Sequence, residues 1–253
     1  MEFFSNAIVS ALQLISNFDP VVYLIAWTSI KISVTACLLA ASLAIILGCW
    51  AGIKTFPGKR LLTQILNTLM AMPTVMIGLV LYGLLSRQGP LGSLGLLYSE
   101  TAVILGETVL ILPIIMNLTM VAIHSADPLL LPTLKSLGAN TRQQIHLVLV
   151  ELKYPIFAAI VTGFGRAIGE VGAAMMLGGN IQGSTRTMTT AIALETNKGD
   201  FELALAIGIL LLLIAFTANY CLNYIQQKQH PMIQATTSPP PKKTTFKTAH
   251  VNR

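Results

Sequence analysis

The chain has 253 residues, of which 54% are hydrophobic and 10% charged, and its formal net charge is +6. Soluble domains carry about 25% charged residues. A mean hydropathy of +0.71 therefore excludes a disordered protein, a basic nucleic-acid module and most soluble enzymes. Cys37, Cys49 and Cys221 lie inside apolar runs, and His124, His146, His230 and His250 are scattered. No metal site and no disulfide framework is predicted.

About 20 apolar residues cross a bilayer core of about 30 Å. Residues 1–24 are expected to be an external segment. Its apolar stretch Asn6 to Ile15 is too short to span and lacks the basic start of a signal peptide. It reads as an interfacial helix. Ile32 to Ile53 is free of charge and bounded by Lys31 and Lys54. Leu61 to Ser86 is free of charge between Arg60 and Arg87. Thr101 to Ile123 is apolar but holds Glu107 and Pro113, with Glu107 expected near the outer interface. Ile156 to Gly179 is apolar and glycine-rich but holds Arg166 and Glu170. Leu203 to Gln227 is free of charge. Runs of this length are helices, since only helices and closed barrels satisfy their backbone in lipid. The expected fold is an all-α integral membrane protein with five transmembrane helices over residues 25–226. Pro73 and Pro113 are expected to kink the second and third.

Basic loop residues decide the topology. Eleven of them (Lys54, Lys59, Arg60, Lys135, Arg142, Lys153, Lys228, Lys242, Lys243, Lys247 and Arg253) fall on one side. That side is expected to be cytoplasmic in a plasma (inner) membrane, with the N-terminus outside and the C-terminus inside. The tail, residues 227–253, contains Pro239-Pro240-Pro241-Lys242-Lys243 and is expected to be disordered.

The cytoplasmic loop at about 125–153 is long for a helix connection. Asp127-Pro128 signals a helix start, Leu129, Leu130, Leu131, Leu134 and Leu137 follow, and Gly138 breaks the helix. Thr141-Arg142-Gln143-Gln144 starts another. The exposed leucines have two readings: packing against helix ends, or docking into a groove on a soluble partner.

Here the sequence resembles the importer-type ABC permeases. Their coupling loop carries Glu-Ala-Ala, three residues, Gly, nine residues, then Ile-x-Leu-Pro. Gly138 occupies the glycine position. Pro132-Thr133-Leu134 stands for Glu-Ala-Ala and Val148-Leu149-Val150-Glu151 for the ending, so the acidic residue and the proline are absent. The run Gly163-Phe164-Gly165-Arg166-Ala167-Ile168-Gly169-Glu170-Val171-Gly172-Ala173-Ala174, then Gly178-Gly179-Asn180-Ile181, is similar to the oxyanion branch of that family, which imports molybdate, sulfate and tungstate. Asn67 to Val75 and Ser86 to Gly92 fit the same branch. The ending Thr185-Arg186-Thr187-Met188-Thr189-Thr190-Ala191-Ile192-Ala193-Leu194-Glu195 is most similar to tungstate permeases. The resemblance covers about residues 25 to 225.

It implies a homodimer enclosing one pathway, an ABC ATPase pair below, an extracytoplasmic oxyanion-binding protein above, lipid around, and no nucleic acid. It implies a coupling surface at Leu131, Leu134, Lys135, Ser136, Leu137, Gly138, Ala139 and Arg142. This chain binds no cofactor by that reading, and ATP and Mg belong to the partner ATPase. A phosphate-binding loop needs Gly, four residues, then Gly-Lys-Ser/Thr. At Pro57-Gly58-Lys59-Arg60 the first glycine and the hydroxyl residue are missing, so the chain is not expected to be an enzyme.

Arg166 and Glu170 stand four apart, which puts them on one face of a continuous helix. They read either as a structural ion pair or as a gate lining the pathway. Gly165, Gly169 and Gly172 share a face by three-and-four spacing and read as a close-packing surface, against the second copy or within one chain. Asn180, Arg186, Thr187, Thr189 and Thr190 supply donors that suit an oxyanion and read as part of the pathway or an external gate, although Thr189 or Thr190 before Ala191 also suits a helix cap. A self-sufficient transporter or channel is the alternative of another class, but no internal repeat supports it. A membrane enzyme is a third, with no cluster of catalytic groups behind it.

Overall fold

The computed structural model describes residues 2–227, with side chains over 7–224. The tail expected to be disordered falls almost wholly outside them. The described chain is helical throughout: α1 (Glu2–Ser16), α2 (Pro20–Ile53), α3 (Lys59–Ala71), α4 (Thr74–Leu85), α5 (Glu100–His124), α6 (Leu130–Ser136), α7 (Thr141–Glu151), α8 (Lys153–Ile168), α9 (Gly172–Gly178), α10 (Met188–Lys198) and α11 (Phe201–Gln227).

Helix α2 begins twelve residues before the charge-free run, at Pro20, where the Asp19 carboxylate accepts from Val21 N (2.9 Å) and Val22 N (3.2 Å). Proline at the first position and an acidic cap are what a helix start favours. Lys31 thus lies inside α2 and pairs with Glu100 at the start of α5, 2.6 Å away. At 1.5 Å per residue the helix is about 50 Å long. It packs along α5 through small residues: Ala36, Ala40 and Ala44 are fully buried. A Cβ on Gly52 would lie 2.7 Å from Ile123 Cδ1, and one on Gly163 would lie 2.8 Å from Ile115 Cδ1. These close approaches draw α2, α5 and α8 into one core around Ile111 and Ile115.

Three helices (α2, α5 and α11) are long and apolar enough to cross a membrane, and the count reaches five if two bent pairs each form one span. The bends correct two expected straight helices. Instead of a kink at Pro73 there is a complete break, with α3 and α4 meeting at 97°. Met72 is extended (ψ 137), as the residue before a proline prefers, and Pro73 is the cap of α4. The fourth segment also fails to run through to Gly179. It stops at Ile168, and its other end turns 78° into α7. Pro113 does not interrupt α5.

The turn from α2 to α3 uses the Pro57–Arg60 stretch. Gly58 takes a left-handed φ of +95°. The Lys59 ammonium donates to the carbonyls of Gly52 (2.9 Å) and Lys54 (3.1 Å), closing the C-terminus of α2. Helix α1 docks on α11 and α2, with Ala7 and Ala11 buried and Tyr23 donating to the Ile15 carbonyl at 3.1 Å. At the far end of α5, Asp127 accepts from Leu129 N (2.8 Å), so α6 starts at Leu130 and not at the proline. Asn140 and Gln143 form a reciprocal cap at the start of α7.

The tight α2–α5 seam makes a contrast testable in thermal unfolding of the detergent-purified protein. Gly52→Val forces Ile123 aside and is expected to cost about 1–3 kcal/mol. Gly83→Ala, where no atom lies within 4 Å of the new Cβ, is expected to leave the midpoint unchanged or raise it. Equal losses in both variants would contradict the seam.

Candidate functional site

Helix α8 ends because Gly169, Glu170 and Val171 leave the helical path before α9 begins. Glu170 holds the two ends together. One carboxylate oxygen takes a charged hydrogen bond from Arg166 Nη1 at 2.9 Å, and the other accepts from Ala173 N at 2.9 Å in the first turn of α9. Arg166 and Glu170 therefore meet, but not on one uninterrupted helix face. The Glu170 side chain is 2% exposed and that of Arg166 39%. The charge asymmetry matters: Arg166 keeps part of its hydration, while Glu170 relies on its two partners. Removing one partner of a buried pair costs about 3–5 kcal/mol, because the other charge is left stranded.

The backbone of Glu170 continues the network. Thr189 Oγ1 donates to its carbonyl at 2.5 Å and lies 3.1 Å from Thr187 Oγ1. Thr187 and Thr190 cap α10 reciprocally. These hydroxyls are buried and already engaged, so the threonines are consumed in fastening α10 to the α8–α9 break. Met188 N donates to Ser29 Oγ (2.6 Å), which ties the same point to α2.

Asn180 and Arg186 sit together in the α9–α10 connection. Asn180 Nδ2 donates to the Thr190 carbonyl (3.3 Å), and Arg186 Nη2 reaches the Asn180 carbonyl only at 3.5 Å. Arg186 is 3.7 Å from Glu195, which Lys198 also contacts at 3.0 Å. Arg186 Nε and Asn180 Oδ1 are buried without a hydrogen-bond partner. A donor and an acceptor left open in one place suit a bridging water.

The glycine face does not form as spaced. Gly165 lies on α8, Gly169 in the break, and Gly172 at the start of α9. Gly172 packs on α4, where a Cβ would lie 2.9 Å from Val75 Cγ2. Around Gly165 nothing lies within 4 Å, and Gly169 meets only the Gly165 carbonyl at 3.5 Å. Those two glycines face open space in the single chain.

In the loop beyond α5, Leu134 is buried with Val148 and Leu152, and Leu131 packs beside it. Leu137 is 77% exposed. Lys135, Ser136 and Arg142 are also exposed. Gly138 adopts a φ of +74° with open space around its α-carbon. Leu137, Ala139, Arg142, Gln143, His146 and Leu147 line a cavity of about 540 Å³. Leu131 and Leu134 pack against helix ends and anchor the loop, and Leu137 projects from it.

Glu107 was legible as a charge but not as a site. It does not reach an interface: it is 2% exposed. Ser33 on α2 hydrogen-bonds its carboxyl. Its second oxygen has no partner. Ser29 and Ser33, one helical turn apart on α2, carried no sequence signal beyond that spacing. Among the described residues no group of three His, Cys, Asp or Glu side chains is placed to hold a metal ion.

Comparison with known proteins places this geometry. The tungstate uptake system permease protein TupB of Peptoclostridium acidaminophilum is 42% identical over 90% of this chain and 100% of its own. The protein of the same name from Campylobacter jejuni is 41% identical over 68% of this chain and 71% of its own. The molybdenum transport system permease protein ModB of Escherichia coli K12 matches at 28% over 68% of this chain and 80% of its own. The family model described as binding-protein-dependent transport system inner membrane component matches residues 44–231. An all-helical chain with a helical loop beyond α5, matched by that model over most of its length, belongs to the binding-protein-dependent transport system inner membrane component family.

Proposed function

We propose that the chain is the translocation subunit of an ATP-driven importer for tungstate. It works as a homodimer in the plasma (inner) membrane, with an ABC ATPase pair on the cytoplasmic side and a tungstate-binding protein outside. The observation that carries the reading is the 42% identity to a tungstate uptake permease across that protein's whole length. The molybdenum relative at 28% supports the same anion class less specifically.

The residues divide the work by place. Leu137, Lys135, Ser136, Gly138, Ala139 and Arg142 meet the ATPase, and Leu131 and Leu134 carry the push into the helix ends. Supporting this, Leu134 shares one buried cluster with Ile123 at the foot of α5 and Ile156 at the foot of α8. Displacement of the loop reaches both core helices without a flexible link. At the other end of α8, Arg166 and Glu170 form the gate. A half-exposed guanidinium attracts a dianion, and the adjacent carboxylate tempers the attraction so that the anion leaves. Gly165 and Gly169 receive the second copy, which supports the small, open surface they present. ATP and Mg act in the partner ATPase.

ATP-driven uptake tests the reading directly. The chain is reconstituted in proteoliposomes with its ATPase and binding protein, and tungsten is assayed inside. Uptake of tungstate with no dependence on ATP, or ATP-driven uptake that excludes tungstate, would overturn it. Leu137→Asp is expected to abolish co-purification of the ATPase while leaving the thermal midpoint of the permease unchanged, since Leu137 packs on little in this chain. Retention of the ATPase would remove Leu137 from the coupling surface.

The ion pair is tested by rescue. Arg166→Ala is expected to reduce the amount of folded protein, by stranding Glu170. Arg166→Gln with Glu170→Gln removes the stranded charge and keeps an acceptor for Ala173 N. That double variant is expected to restore assembly but not uptake. If uptake returns as well, the pair only holds the helices together.

A further inference from the structure

One described cavity belongs to none of these residues. It opens at the end of α4, on the loop joining α4 to α5, and has a volume of about 640 Å³. This end lies opposite the loop beyond α5, since α5 runs the full 25 residues from Glu100 to His124 between them. The polar groups lining the cavity are Tyr82, Ser86, Arg87, Gln88 and Tyr98, and no carboxylate lines it. None of the ion pairs among the described residues includes Arg87. Glu100, close by in sequence, is held by Lys31 at 2.6 Å.

The donors can be counted. Ser86 spends its proton on the Gly83 carbonyl at 3.1 Å. The Tyr82 and Tyr98 hydroxyls are 3.4 Å apart, so one donates to the other and one proton stays free. Arg87 brings five N–H groups and Gln88 two. A cavity offering a guanidinium, an amide and a phenol, with no competing carboxylate, matches an anion with oxygens on several sides.

The cavity is also attached to the gate. Tyr98 N donates to the Leu177 carbonyl at 2.8 Å, and its ring lies where a Cβ on Gly179 would be 2.8 Å away. Helix α4 packs on α9 through Gly78, against Ala173 and Met176. Both walls of the cavity therefore rest on α9, whose first turn is fastened by Glu170.

We propose that this cavity is a landing site for a tetrahedral dianion, held by Arg87, Gln88 and the tyrosine pair before it reaches the gate. The proposal rests on reading the chain as an oxyanion permease. The same donors also suit a lipid-headgroup phosphate, and the experiment separates the two sources. Because every donor is neutral or a solvent-facing guanidinium, binding is weak and reversible, as passage requires.

The test uses the assembled transporter in detergent, without its binding protein, equilibrated with sodium tungstate. Bound tungsten and co-purified phospholipid are both measured. Arg87→Gln is expected to weaken tungstate binding about tenfold, and Tyr98→Phe to weaken it by less, with the complex intact by size exclusion. No tungstate bound by the unaltered complex, or equal binding by Arg87→Gln, overturns the proposal. So does loss of anionic phospholipid alone, which makes the cavity a headgroup site. Uptake in proteoliposomes, measured in parallel, keeps the failures apart. Intact ATP-driven tungstate uptake with unchanged binding in Arg87→Gln defeats only the landing site. Absence of tungstate uptake by the unaltered transporter defeats the functional reading itself.

Discussion

A single buried carboxylate holds together the ends of α8, α9 and α10. Glu170 accepts from Arg166 at the end of α8 and from Ala173 N at the start of α9, and its own carbonyl receives the Thr189 hydroxyl. Three helices therefore converge on one residue that stands outside all of them. In a low-dielectric interior such a charge is tolerated only when every partner is in place. The Gly169–Val171 break is stable for that reason, and it gives the chain a joint where an unbroken span would have given a rod.

Much of this was legible. Apolar runs located α2, α4, α5 and α11 to within a few turns, and a helix cap was expected before Ala191, though at Thr189 or Thr190 and not at Thr187, where it forms. What escaped was backbone direction. Hydropathy sums side chains and is blind to whether Met72 is helical or extended, so the α3–α4 right angle looked like one span. The same blindness merged α8 with α9. Polar side chains were ambiguous in another way. A row of threonines reads equally as donors facing a ligand or as caps, and only the positions of Glu170 and Ser29 decide that these hydroxyls are spent internally. Glu107 shows the limit of counting positions along a helix: depth in the sequence says nothing of the neighbours α2 and α9 that enclose it.

The comparisons and the geometry bear on different levels of the functional claim. Family membership rests on the match over residues 44–231 and needs no site. The anion class rests on relatives' names. The structure adds the distribution of charge. Arg87 enters none of the ion pairs among the described residues, Arg186 stands 3.7 Å from Glu195, and Arg166 is paired with Glu170 at 2.9 Å. Glu107 and Glu170 are buried carboxylates.

The interlocking of Gly48, Gly52 and Gly163 with residues of α5 has a mechanical corollary. Helices pressed this closely cannot slide, because each methyl already occupies its neighbour's groove. The trio α2–α5–α8 is a stiff keel, and bending falls to the places where the helical ladder is already open: Met72–Pro73, Leu152 and Gly169–Val171. Any bending of the described chain is confined to these few points, between rigid lengths of helix.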